Sequence, residues 1–424
     1  MGIGFSGLNS MRGGDLDIIR SAMASGREQR IRIQELEDSL GQDIVLSINN
    51  WRGNWITRTI RKARKCPNFQ KLILDTLNID DDKLKDLVEY LKLRELDKQL
   101  TVLGLFHNQI KDISALSGLT ELTMLNLKTN KIDNIEPLKD LKELTKLSLS
   151  TNKIKDISAL SGLTKLTQLG LETNKIKDVE PLRDLKKLTK LYLFNNKIEN
   201  ISFLSGLNQL TRLFLSNNKI KDISALRDLK KLIGLCLSNN KIKDISALRD
   251  LKKLTGLGLF TNKIDNIEPL KDLKELTMLG LATNQIEDVE PLRDLKKLTG
   301  LGLFDNQIKD ISALSGLTKL TQLGLDINQI ENISALRDLK KLAFLDLATN
   351  QIVDIGPLSG LTELTKLRLS NNQITNIEIL SGLTELTELD LRVNSIQIDQ
   401  ILLARGIWQH RVQLPSLFLF LLSL

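Results

Sequence analysis

Aromatic residues make up only 4% of this 424-residue chain although 41% of it is apolar, so an aliphatic core is expected. Cysteine is nearly absent: Cys66 and Cys236 are the only two, far apart in sequence. Histidine is as scarce, with His107 and His410 alone. A disulfide framework and a cysteine-rich metal centre are therefore excluded, and nothing in the sequence demands an oxidising compartment. No cofactor is expected, and no metal site. No run reaches the roughly 18 apolar residues of a membrane-crossing helix. Met1 to Arg30 lacks the apolar stretch behind a basic start that marks a secretory leader. The expectation is a cytoplasmic chain without a membrane span, with a surface location less favoured. There is no Gly-x-x-x-x-Gly-Lys-Ser/Thr phosphate loop. The net charge of +8 is mild for the length; it favours solubility and does not point to nucleic acid.

What is present is a period. Asn recurs at 108, 130, 152 and every 22 residues thereafter to 394, fourteen copies without an insertion. The copy at Asn152 reads Leu144, Leu147, Leu149, Asn152, Ile154, Ile157, Leu160, Leu163. Around Leu147-Ser148-Leu149 the apolar residues alternate, which is the period of a half-buried strand. From Ile154 onward they come every third residue, which suits 3-10 turns or tight coil better than an α-helix. Each unit is thus a short strand, a turn and a compact return. None buries its apolar side alone; stacked copies bury one another. The Asn stands where the strand turns inward, where its amide can satisfy backbone groups of its own and the adjacent unit. Pro137, Pro181, Pro269, Pro291 and Pro357 all lie seven residues after an Asn, on the return segment, where no strand hydrogen bond is needed.

Asp156-Ile157-Ser158-Ala159-Leu160-Ser161-Gly162-Leu163-Thr164 and its copies resemble the bacterial internalin-type leucine-rich repeat. The resemblance covers roughly residues 100–398. It implies an α/β solenoid, a leucine-rich-repeat horseshoe with a concave parallel β-sheet and 3-10 turns on the convex side. The 22-residue period is shared more loosely with eukaryotic phosphatase-regulatory leucine-rich proteins.

Outside the period the sequence changes character. Leu72-Ile73-Leu74 looks like a strand, and Leu84, Leu87, Val88 and Leu91 have helical spacing. Val45 to Ile48 precedes a basic amphipathic stretch from Trp55 to Lys65 in a similar way. This resembles one or two longer repeats of the ribonuclease-inhibitor kind. At the other end Asp399 occupies a core position, and Leu414 to Leu424 is almost wholly apolar. Leu414-Pro415-Ser416-Leu417-Phe418 departs from a sortase anchor after two residues. The expected organisation is a poorly ordered segment 1–43, an N-terminal cap 44–99, fourteen repeats over 100–400, and an apolar tail or cap 401–424.

Comparing the copies with one another locates the function. The residue two after the Asn is Ile in all fourteen, and the residue seven before it is Thr in twelve, so both are taken as core. Those six, four, two and one before it vary widely. Strand alternation puts the first three of these on the face opposite the core. Six of the seven Phe in the repeats, Phe106, Phe194, Phe214, Phe260, Phe304 and Phe344, fall there, with Tyr192 beside them. Aromatics at interface centres commonly dominate binding energy. Lys128, Lys146, Lys190 and Arg212 make the early half of this face basic. Asp305, Asp326, Asp346, Glu388 and Asp390 make the late half more acidic, interrupted by Lys366, Arg368 and Arg392. Gly258, Gly280, Gly302 and Gly324 share one central column, a lane of bare backbone where a partner can approach, or an echo of duplication. The candidate partner-binding residues are Phe106, Tyr192, Phe194, Phe214, Phe260, Phe304, Phe344, Lys146, Lys190 and Arg212.

No Ser or Cys of the repeats has a histidine base within reach, Cys236 lying some six units from His107, so no catalytic residue is assigned and no enzyme is expected. The expected function is a monomeric, non-catalytic scaffold that binds a protein partner on the concave face. The resemblances leave two alternatives, an intracellular regulatory subunit of an enzyme and a surface adhesin.

Overall fold

The computed structural model describes residues 70–93 and 95–396; the expectations for residues 1–69 and for the tail from 397 lie outside the described residues. The described chain divides into two compact units, one ending at Asn240 and the other starting at Lys241.

In the first unit eight strands run parallel: β1 (Lys71–Ile73), β2 (Val102–Gly104), β3 (Met124–Asn126), β4 (Lys146–Ser148), β5 (Gln168–Gly170), β6 (Lys190–Tyr192), β7 (Arg212–Phe214) and β8 (Gly234–Cys236). Each pairs with the next in sequence without offset, so equivalent residues of neighbouring copies face each other, as Leu147 faces Leu169. Between β1 and β2 runs helix α1 (Asp81–Leu93), which buries Leu84, Leu87, Val88 and Leu91 on one stripe. Asp80 caps it, its carboxylate accepting the N–H of Lys83 at 3.0 Å.

The second unit repeats the plan with β9 (Gly256–Gly258), β10 (Met278–Gly280), β11 (Gly300–Gly302), β12 (Gln322–Gly324), β13 (Phe344–Asp346), β14 (Lys366–Arg368) and β15 (Glu388–Asp390). Its strands are again parallel, in register and ordered as in sequence. In both units each strand after β1 is followed by a 3-10 turn, except β15, whose return lies beyond the described residues. Pro137, Pro181, Pro269, Pro291 and Pro357 sit in the first positions of such turns, where a missing N–H loses nothing.

The core is the template. Leu144, Leu147, Leu149, Ile154, Ile157, Leu160 and Leu163 are each no more than 3% exposed. Two expectations need correction. The core is not purely aliphatic: Phe203 is 1% exposed, in a 3-10 turn where most copies carry the smaller Ala or Pro. The Thr seven before each Asn is not a core residue either. Thr145 is half-buried, and its hydroxyl donates to the carbonyl of Thr123 at 3.1 Å. The same bond recurs from Thr167, Thr189 and Thr211 in one unit, and from Thr299 and Thr321 in the other.

Candidate functional site

Two further side-chain ladders hold the open face of the sheet in place. The amide of Asn218 donates to the carbonyls of Leu193 and Leu215 at 3.0 and 2.9 Å, and its oxygen accepts the N–H of Ile198 at 3.0 Å. One side chain thereby satisfies backbone groups of its own copy and of the preceding one, in the turn where neither strand nor 3-10 turn can. The second ladder was not read from the sequence. Four residues after the Asn, thirteen consecutive copies carry Asp or Asn. Its oxygen accepts the N–H two residues on, as Asp156 does from Ser158 and Asn200 from Ser202. This caps the 3-10 turn. The signal was the unbroken Asx period itself.

The residue before each ladder Asn lies in the left-handed region, φ between 52° and 59° in all fourteen copies. This turn ends the strand and carries the side chain off the sheet. His107 and Asp305 therefore stand at the strand-end turn, not on the sheet face where the sequence reading put Asp305. The His107 ring meets the edge of Phe106 at 5.7 Å.

All ten candidate residues are half-buried, as expected for side chains that stand on the open face between neighbouring strands. In the first unit Lys146, Lys190 and Arg212 occupy the first strand position of β4, β6 and β7, and Tyr192 and Phe214 face one another at the third. Their rings stack, 5.2 Å between centroids and 7° from parallel. Gly170 stands across from Tyr192, and Cys236 across from Phe214. The pair thus rises between small neighbours. Phe194 and Phe106 lie two residues past the ends of β6 and β2, where smaller residues such as Ser150 and Ser238 are buried.

In the second unit Phe260, Phe304 and Phe344 occupy the open face, but the structure does not bring them into ring contact with one another among the described residues. Phe344 instead lies under the Arg368 guanidinium, 5.7 Å from the ring centroid. Gly258, Gly280, Gly302 and Gly324 do align across β9 to β12. The lane they form is partly closed. Gly302 and Gly324 are buried, and Met278 folds over Gly300, its methyl 2.5 Å from where a Cβ would stand.

Part of the acidity expected of the late half is paired with the basic residues that interrupt it. Glu388 pairs with Arg368 at 2.7 Å and with Lys366 at 3.3 Å, Asp346 with Arg368 at 3.4 Å, and Asp390 with Arg392 at 2.6 Å. Burial pushes the Glu388 carboxyl up, but Arg368 and then Lys366 hold it below its ordinary value. Asp390 is likewise held down against its burial by Arg392. The network is nearly neutral as a whole. Among the described residues no group of His, Cys, Asp and Glu is arranged to hold a metal ion, and no helix is long and apolar enough to cross a membrane.

The family described as Leucine Rich repeats (2 copies) matches residues 98–140, 142–184, 186–228, 230–272, 296–338 and 362–404. Among solved structures, an internalin (InlF) of Listeria monocytogenes is 36% identical, over 73% of this chain and 94% of its own, with a TM-score of 0.70. The leucine-rich-repeat protein LIC12759 of Leptospira interrogans is 26% identical, over 82% and 97%, with a TM-score of 0.73. The functional domain of InlJ of L. monocytogenes is 26% identical, over 78% and 69%, with a TM-score of 0.69. No curated protein matches the chain.

Proposed function

This chain belongs to the leucine-rich-repeat proteins of the internalin type, and from that premise we propose that it is a non-catalytic scaffold binding a protein partner on the open face of its sheet. The leucine-rich-repeat fold is typically a protein-interaction scaffold, and such folds bind unrelated targets by changing surface residues alone. The observation that carries the proposal is the stacked pair Tyr192 and Phe214. Two large rings are held half-exposed on a rigid sheet, with Phe194 on the same face and Lys146, Lys190 and Arg212 along the strand starts. Rigid aromatics lose little entropy on binding, and a central pair of this kind typically contributes 2 kcal/mol or more per residue. The scaffold beneath is uniform while this face differs from copy to copy, which is what a diversified binding surface requires.

The test is a double variant, Tyr192→Ser with Phe214→Ser, used as bait in cell lysate beside the parent. The expected result is loss of the partners the parent captures, with an unchanged circular-dichroism spectrum and melting temperature. Capture of the same partners by the folded double variant would remove the proposal.

A further inference from the structure

We propose that the edge of the first unit just past the ladder Asn binds a linear anionic polysaccharide, through a row of lysines. Immediately after the Asn, seven consecutive copies carry Lys, at 131, 153, 175, 197, 219, 241 and 263; the five copies after them carry Gln. The first five lysines lie in the first unit, and all five are exposed. Their spacing is fixed by the backbone. Each donates its N–H to the Ile carbonyl of the preceding copy at 2.8 Å, Lys131 to Ile110 through Lys219 to Ile198. The row therefore keeps the strand-to-strand distance of about 4.8 Å.

Four of these five charges are left without counter-charges, whereas some on the return segments are paired. There Lys139 pairs with Glu136, Lys165 with Glu143 and Arg183 with Glu180. In the row only Lys219 has a carboxylate, Glu199 at 3.5 Å. Lys131, Lys153, Lys175 and Lys197 form no ion pair among the described residues. Like charges so close repel, and a polyanion laid along them relieves that repulsion and releases its own counter-ions.

The surroundings narrow the ligand class. On the sheet side a column of exposed Thr151, Thr173, Asn195 and Asn217 offers hydroxyls and amides, with Asn195 donating to Thr173 at 3.3 Å and Asn217 to Asn195 at 2.6 Å. On the other side lie the capping carboxylates of Asp156, Asp178 and Asp222. The positive strip, the row together with exposed Lys155, Lys177 and Lys221 two residues on, is narrow and bounded by these carboxylates. A flat anionic membrane or a broad duplex laid on it also meets the carboxylates. An extended peptide rises about 3.3 Å per residue and alternates its side chains, so its charges fall out of step with the row. A single sugar chain bearing a carboxylate or sulfate on each or every second ring matches the row's width, its charge period and the hydroxyl and amide column beside it.

The chain supplies its own control, because Gln is the residue it places at the same position in Gln285, Gln307, Gln329 and Gln351. The full-length protein is titrated into a fluorescein-labelled heparin oligosaccharide and anisotropy is followed at several salt concentrations. Replacing Lys131, Lys153, Lys175 and Lys197 by Gln is expected to weaken binding about tenfold or more and to flatten its salt dependence. A variant of equal net charge, K187Q/K252Q/K253Q/K341Q on the return segments, is expected to bind like the parent. The reverse variant Q285K/Q307K/Q329K/Q351K is expected to bind more tightly. Equal weakening by the two lysine-to-glutamine variants would reduce the effect to bulk charge and overturn the proposal. So would no binding by the parent, or tighter row-dependent binding to phosphatidylserine vesicles or to an oligothymidylate.

Discussion

An L-residue held at positive φ costs about 1–2 kcal/mol unless its side chain bonds locally, as Asn can, and this fold sets one before every ladder Asn. At Asn195, Asn217, Asn239 and Asn371 the chain uses the residue best suited to that region. At Ile327 and Val393 it uses β-branched apolar residues, 40% and 63% exposed, which have little burial to offset the strain. Ile327→Asn is therefore expected to stabilise the protein by about 1 kcal/mol, and Asn239→Ile to destabilise it by a similar amount; both read as shifts of the guanidinium midpoint. The neighbouring ladder residue behaves oppositely. Asn218→Ala orphans the carbonyls of Leu193 and Leu215 and the N–H of Ile198. At about 1–3 kcal/mol for each buried group left unsatisfied, the loss is expected to exceed 2 kcal/mol in the same measurement. The need for an amide here was legible, since a buried strand-to-turn corner has no other donor. The left-handed residue beside it was not, because Thr, Asn, Asp, Ile, Val and His all fill it and composition gives no sign.

Among the elements, the 3-10 turns show how a capping ladder escapes a search for apolar periodicity. Asp and Asn alternate irregularly at the cap, so the column looks like ordinary polar surface until its N–H partners are seen. The two residue types differ in acid. The Ser158 N–H, and then its hydroxyl, hold Asp156 below its ordinary value, and Ser224 does the same to Asp222. A carboxylate whose pKa is lowered by folding contributes stability above its unfolded pKa, and loses it as pH falls through the lower folded value. These caps are exposed, so each effect is small. Asp156→Asn with Asp222→Asn is expected to leave the denaturation midpoint near neutral pH almost unchanged and to flatten its decline below about pH 4. The threonine ladder has its own gap. Ile233 stands where Thr is usual, 43% exposed, its N–H already bonded to Thr211 at 2.8 Å. Ile233→Thr places a hydroxyl beside the same carbonyl, and a gain of about 0.5–1 kcal/mol is expected in the denaturation midpoint.

At the scale of the molecule, nearly all of the architecture of the described residues was legible, because a 22-residue period without insertion repeats strand, turn and return from copy to copy. The stacking of Tyr192 on Phe214 followed from the same register, since equivalent positions must meet across neighbouring strands. What the period could not give was how long side chains settle between strands: Met278 over Gly300, and Arg368 drawn between Asp346 and Glu388. Such choices depend on the particular neighbours rather than on the repeat. The architecture also permits a test no globular fold allows. Stability in a stacked array is approximately a sum of similar repeats and their interfaces, so one complete repeat can be removed in register. Deleting residues 175–196 joins Asn174 to Lys197, and deleting 263–284 joins Asn262 to Gln285. Both variants are expected to fold, with similar losses of melting temperature. Only the first removes Lys190, Tyr192 and Phe194 and leaves Phe214 without its stacking partner. Partner capture is therefore expected to vanish in the first and persist in the second. Equal capture by both would show that recognition does not depend on that aromatic pair.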